Sequence, residues 1–188
     1  MTTKVKGAVL LSRSAYVKAE FGTDAWDRVL QKLSEEIRGD LKGIILSASW
    51  YPFEVNKELD QAIVDVVSGG DLNIFKKIGA WSAQANLGGA HRAFLSPGDP
   101  PGFLAQTDRI YSFYYDKGHR KYEATGPNSG VITTYEAETF SANDCLTVIG
   151  WYEEALKMCG AKKAVMTEES CRARGNSCCR YHIRWEMG

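Results

Sequence analysis

The chain has 188 residues, 44% of them hydrophobic and 24% charged, and its 23 Lys+Arg balance 23 Asp+Glu to a formal net charge of zero. That length and composition predict one globular domain with its own core. No basic excess or block of like charge is present to hold nucleic acid by its phosphates, and no run reaches the roughly 20 apolar residues a membrane span requires. The opening MTTKVKGAVLLSRS offers only Ala8–Leu11 before Arg13, too short for the core of a secretion signal. All five cysteines lie at or after position 145. An odd, clustered set is unlike a secreted disulfide framework, so a cytoplasmic protein with reduced or metal-bound thiols is expected.

Helical periodicity dominates up to residue 118. In TDAWDRVLQKLSEEIRG, Trp26, Val29, Leu30, Leu33 and Ile37 share one face, with Thr23 or Asp24 as N-cap and Gly39 as stop. Pro52 suits the first turn of a second helix carrying Leu59, Ile63, Val66 and Val67 to Gly69-Gly70. Asp71 is placed to cap a third, with Leu72, Phe75, Ile78 and Trp81 as its buried stripe, running on towards Phe94 until SPGDPPG (96–102) breaks it. A shorter helix carries Ile110, Phe113 and Tyr114 to Lys117-Gly118.

From 119 the period becomes two. Lys121–Thr125 and Val131–Ala137 read as paired strands across the turn Gly126–Gly130. Cys145–Cys159 is an amphipathic helix with Ile149, Tyr152, Leu156 and Met158, stopped by Gly160, and Lys163–Glu169 is a strand. Cys179–Glu186 alternates Cys179, Tyr181, Ile183 and Trp185 against Arg180, His182, Arg184 and Glu186, as an antiparallel strand wet on one side does. The expected fold is α+β: a helical half (1–118) packed on a sheet half (119–188) of strand-strand-helix-strand-strand order.

Three cysteines fall within CRARGNSCC (171–179), around the tip of the last hairpin. Cys171 and Cys179 flank the turn, and Cys179 has the parity of the apolar face whereas Cys178 has that of the wet one. Cys145 and Cys159 are roughly 21 Å apart on one helix and cannot serve one ion. Cys145, at the helix N-terminus where thiolate is favoured, is the better third ligand. Glu168 or Glu169 could complete a zinc site, and strand alternation puts Glu169 with Cys171 unless the strand bends. Plain packing of buried thiols and a redox role for the vicinal pair are the alternatives.

The run GWYEEALKMCGAKKAVMTEESCRARGNSCCRYHIRWE resembles the C-terminal signature of the 4-vinyl-reductase (4VR) domain family, with Glu168, Cys171, Gly175 and Cys179 at the signature positions. FGTDAWDRVLQKL (21–33) and IYSFYYDKG (110–118) are similar to a bacterial family built on the same domain. The resemblance implies the ligand-binding fold shared by haem–nitric oxide sensors, TRAPP transport subunits and the sensor domains of aromatic-responsive activators. It also implies a zinc held by Cys145, Glu168, Cys171 and Cys179, choosing Glu168 over Glu169.

Haem is not expected, because the Tyr-x-Ser-x-Arg haem-carboxylate motif of the haem–nitric oxide domains is missing, although His91 in LGGAHRAFL is an iron-ligand candidate. No Ser-His-Asp ordering, nucleophile elbow or P-loop is found. Aromatic residues line a pocket between helices and sheet in this reading, with Trp81, His91, Tyr111, Phe113 and Tyr114 as its candidate residues. The function expected is a non-catalytic sensor or regulatory module for a small apolar or aromatic ligand, as a homodimer. The alternative is an assembly subunit of TRAPP type, bound to a protein partner in trans and with its interior filled by its own side chains.

Overall fold

The switch in sequence period near residue 119 is a switch of layer in the computed structural model, which describes residues 2–188. The helical layer runs β1 (Lys4–Lys6), α1 (Gly7–Phe21), α2 (Thr23–Lys32), α3 (Glu35–Lys42), β2 (Trp50–Pro52), α4 (Phe53–Ile63), α5 (Ile74–Leu87), α6 (Pro100–Leu104) and α7 (Thr107–Tyr114). The second layer runs β3 (His119–Gly126), β4 (Ser129–Tyr135), α8 (Ala142–Met158), β5 (Ala161–Ser170) and β6 (Cys179–Met187). The expected α+β class and strand-strand-helix-strand-strand order are both present.

The four strands form an antiparallel sheet of order β3-β4-β6-β5, so two hairpins meet along β4 and β6 and α8 carries the chain between them. Along β6, burial alternates as the sequence does: Cys179, Tyr181, Ile183 and Trp185 are buried and His182, Arg184 and Glu186 exposed. The buried row faces α8, whose Ile149, Tyr152, Ala155 and Leu156 are also buried. On its other side α8 crosses α5 at backbone distance. A Cβ on Gly150 would strike the Lys76 carbonyl, and one on Gly79 the Thr147 carbonyl. A second cluster, including Leu10, Val29, Leu59, Ile63, Phe75 and Ile78, holds α1, α2, α4 and α5 together.

Several boundaries differ from the sequence expectation. Helix α1 and the β1–β2 ribbon carry no clean amphipathic signature and were not foreseen; in α1 the buried set includes Ser12, Arg13 and Ser14. The helix expected over 23–39 breaks at Leu33, whose ψ of 151° is extended. The next residue, Ser34, gives its backbone N–H to the Glu58 carboxylate. Gly39 therefore lies inside α3, and Gly22, not Thr23 or Asp24, holds the N-cap of α2. Pro52 ends β2, one residue ahead of α4. Asp71 accepts the Asn73 N–H, but α5 starts at Ile74, Leu72 is 41% exposed, and Gly88 ends the helix well short of Phe94. Within SPGDPPG, Asp99 caps α6 by accepting the Gly102 N–H, with prolines in its first turn.

Candidate functional site

Two adjoining features occupy the seam between α8, the sheet and the helical layer: a cluster of three thiols and a divided interior cavity. The thiols come first. Ser141 caps α8 by accepting the Asp144 N–H, which fixes Cys145 in the first turn. Cys171 directly follows β5, and Cys179 opens β6. Between them the chain turns through a short helical bend at Arg172–Arg174 and a left-handed Gly175 (φ 87°), a conformation that strains residues bearing a Cβ.

The Sγ of Cys145 lies 3.3 Å from that of Cys171 and 3.8 Å from that of Cys179. All three sulfurs fall within 4.8 Å of one another, and all three residues are buried. Cys145 donates to Cys179, and its contact with Cys171 takes a proton from either sulfur. The hydrogen bonds to Cys145 raise its own pKa, and the same contact lowers Cys171 and brings Cys179 down to about 6. The Arg172 backbone N–H also points at the Cys179 sulfur, at 3.3 Å.

The carboxylates sort by face. Register pairs Ala164 with Trp185, Met166 with Ile183 and Glu168 with Tyr181, so Glu168 is on the inner face. An irregularity between Glu168 and Ser170 is the bend that lets Cys171 return to the same side. Glu169 faces out, bound to Arg180 (3.0 Å) and His182 (2.6 Å). Glu168 does not converge with the sulfurs: its Oε2 pairs with Arg174 at 2.5 Å, while its Oε1 is buried with no hydrogen-bond partner. Cys159 is buried at the far end of α8, and half-buried Cys178 lies beside Ser170.

The cavity has two lobes. The larger, about 50 Å³, is walled by Val9, Ile110, Tyr114, Val148, Trp151 and Tyr152, with Arg13, Tyr115 and Arg120 among its polar groups. The smaller, about 20 Å³, leads from Tyr111, Tyr115 and Arg120 to the sulfurs of Cys145 and Cys179. Of the five residues expected to line a pocket, Tyr114 and Tyr111 do so, one in each lobe. Trp81 packs edge-on against Tyr16 at 6.0 Å in the helical cluster. His91 and Phe113 line a separate surface groove. His91 sits edge-on to Phe113 (4.5 Å), its Nδ1 is 2.7 Å from the Tyr114 hydroxyl, and burial lowers its pKa.

The interior charges escaped the sequence reading. Arg13 on α1 donates from Nε to Asp60 Oδ1 (2.5 Å) and from Nη2 to Asp60 Oδ2 (3.1 Å) and Asp144 Oδ1 (3.4 Å). Tyr115 donates to Asp144 Oδ2 at 2.9 Å. All but Tyr115 sit among apolar residues in their helices, and a charge on a buried stripe was the one available signal. Burial lifts the Asp60 carboxyl to about 6 despite the pull of Arg13, and burial likewise raises Asp144.

No family model and no curated protein matches this sequence, so the 4VR likeness remains one of motif. Solved structures do match. An Fe(II) unliganded H-NOX protein from K. algicida superposes with a TM-score of 0.75 at 14% identity, covering 97% of each chain. An Fe(II)NO H-NOX protein from S. oneidensis gives 0.70 at 14%, over 96% of this chain and 99% of that one. An H-NOX domain from Shewanella oneidensis in the Fe(II)CO state gives 0.70 at 16%, over 96% and 98%. The chain has the H-NOX fold over nearly its whole length. Among the described residues no helix is long and apolar enough to cross a membrane.

Proposed function

We propose that this chain is a non-catalytic small-molecule-binding module of sensor type, with a structural zinc at the thiol cluster. The observation that carries it is the cavity at the seam of the two layers, walled by residues of α1, α7, α8 and β3 together. On the Arg13 side of the cavity the titratable groups are already committed. Arg13, Asp144 and Tyr115 satisfy one another, which leaves no free base beside a nucleophile. A cavity of about 50 Å³ holds a ligand of only a few heavy atoms, by the benchmark of roughly 10–15 Å³ per water. An aromatic ring enters only if Trp151 or Tyr114 moves. Native mass spectrometry of protein from untreated cell extract tests the reading: a co-purifying small molecule is expected, and its absence across preparations would count against it.

Zinc fits the residues present. Tetrahedral thiolate sites with Zn–S near 2.3 Å have sulfurs about 3.8 Å apart, and Cys145, Cys171 and Cys179 already stand close to that spacing. The buried, unpartnered Oε1 of Glu168 is a candidate for a fourth ligand, provided the carboxylate leaves Arg174. The metal would supply cross-linking of α8 to the last hairpin and no reaction.

Haem needs separate treatment. The solved neighbours are Fe(II) H-NOX proteins, so at the level of the fold the expectation against haem loses its force. At the level of residues, haem does not fit. No histidine lines either lobe, His91 is turned into a surface groove, and Trp151 and Tyr152 occupy the seam. Titration with haemin is expected to give no stoichiometric Soret band, and a band abolished by His91→Ala would reverse this reading.

The small volume also keeps the assembly reading open. Ile44 (88% exposed) and Leu46 (59% exposed) form an apolar projection beside β2 that a protein partner could cover. A stoichiometric partner recovered from the native host would favour it.

A further inference from the structure

We infer that the interior cavity takes an anion, specifically a small monocarboxylate, whose charge pairs with Arg120. The inference rests on the reading of this cavity as a ligand site and goes beyond it by assigning the ligand's charge.

Arg120 is the second residue of β3, held there by its backbone N–H to Asp108 Oδ1 at 2.9 Å, and only 6% of it is exposed. Its guanidinium stands at the junction of the two lobes and lines both. Among the described residues it makes one hydrogen bond, Nε to Thr134 Oγ1 at 2.8 Å, and no ion pair. The two interior carboxylates are spent elsewhere. Both Asp60 oxygens bind Arg13, and the Asp144 oxygens take Arg13 and Tyr115. Arg120 therefore has no carboxylate of its own; in the smaller lobe the Cys179 thiol feels its charge, and an arginine keeps its charge in any protein interior, where desolvating it is costly.

Neighbouring groups complete an anion site. The Tyr111 and Tyr152 rings lie 4.8 and 5.6 Å from the guanidinium carbon. The Tyr152 hydroxyl, on a residue 1% exposed, lines the larger lobe and turns towards Arg120, whose charge it favours. The Thr139 hydroxyl lines the smaller one beside Tyr111. A carboxylate accepts two parallel N–H bonds from a guanidinium, and a planar fork serves that geometry better than an ammonium. Val9, Ile110 and Val148 offer an apolar wall to the rest of the ligand, and the volume limits it to a few heavy atoms.

The competing account is that the two tyrosine rings satisfy Arg120 by cation–π contact alone. Calorimetric titration with propanoate and with propanamide, its neutral isostere, separates the two. Propanoate is expected to bind at least tenfold more tightly than propanamide. That preference should vanish in Arg120→Met, whose apolar side chain fills the same channel without an unpaired charge. It should fall at least threefold in Arg120→Lys, which keeps charge and stem and serves if the Met variant fails to fold. Equal binding of both probes would overturn the inference and leave the cavity reading standing. No binding of either would overturn the cavity reading and the inference with it. A preference that survives in Arg120→Met would place the carboxylate elsewhere and overturn the assignment to Arg120.

Discussion

Cys145 and Cys171, 26 residues apart in the chain, bring their sulfurs to 3.3 Å, and Cys179 stands 3.8 Å from the first of them. The contact joins the first turn of α8 to both sides of the last hairpin, so whatever holds the sulfurs also holds two elements of the sheet half together. If that is zinc, binding energy is folding energy. Protein purified without chelators or metal-affinity resin is expected to carry about one equivalent. Cys145→Ser, Cys171→Ser and Cys179→Ser should each lose it and melt earlier, and Glu168→Gln should weaken retention. Cys159→Ser, Cys178→Ser and Glu169→Gln should leave it unchanged. Metal below about a tenth of an equivalent in the wild type would leave the cluster as packed thiols.

Arg13 bridges α1 to Asp60 on α4 and Asp144 on α8, with each of the three residues 5% exposed or less. Removing the cation strands two buried carboxylates. Arg13→Met is expected to cost about 3–5 kcal/mol in urea unfolding. A loss below about 1 kcal/mol, the scale of a solvated pair, would contradict the buried triad.

Asp60 makes stability depend on pH in a definite direction. Burial raises its folded-state pKa to about 6, so between roughly pH 4 and 6 the native state keeps a proton that the unfolded chain has released. The native state binds more protons in that window, and its stability from this group falls as pH rises. Asp60→Asn lacks this contribution. The stability of wild type relative to Asp60→Asn should therefore be greatest near pH 4 and shrink towards pH 7. A difference that stays flat across that range in parallel denaturation series would refute the raised carboxyl.

Gly150 sits in the middle of α8, where exchange for alanine ordinarily gains up to about 1 kcal/mol of helix propensity. Here the added Cβ meets the Lys76 backbone carbonyl, which cannot rotate away. Gly150→Ala should instead destabilise by about 1–3 kcal/mol, the range for overpacked cores. A rise in melting temperature would mean that α5 and α8 can separate freely.

What the sequence determined by itself is local and periodic. The alternation from Cys179 to Trp185 and the helical spacing of Ile149, Tyr152 and Leu156 each require one buried face. Those faces dictate an antiparallel sheet covered by α8. The parity that sends Cys179 inward and Cys178 aside could be read in the same way, as could the reach of Cys145 at the start of its helix. Tertiary structure decided everything that depends on charge inside the core. Arg13, Asp60, Asp144 and Arg120 look like ordinary polar interruptions along the chain. Only the packing of α1, α4, α8 and β3 around one seam shows that Arg13 is paired and Arg120 is not. Which of Glu168 and Glu169 shares the inner face with Cys171 was of the same kind. It turned on a strand irregularity between Glu168 and Ser170, which no alternation pattern contains because a bulge is a departure from alternation. Periodicity reports which face of an element meets the core; the counter-ion of a buried charge comes from another element, set by the crossing of helices and strands far apart in sequence.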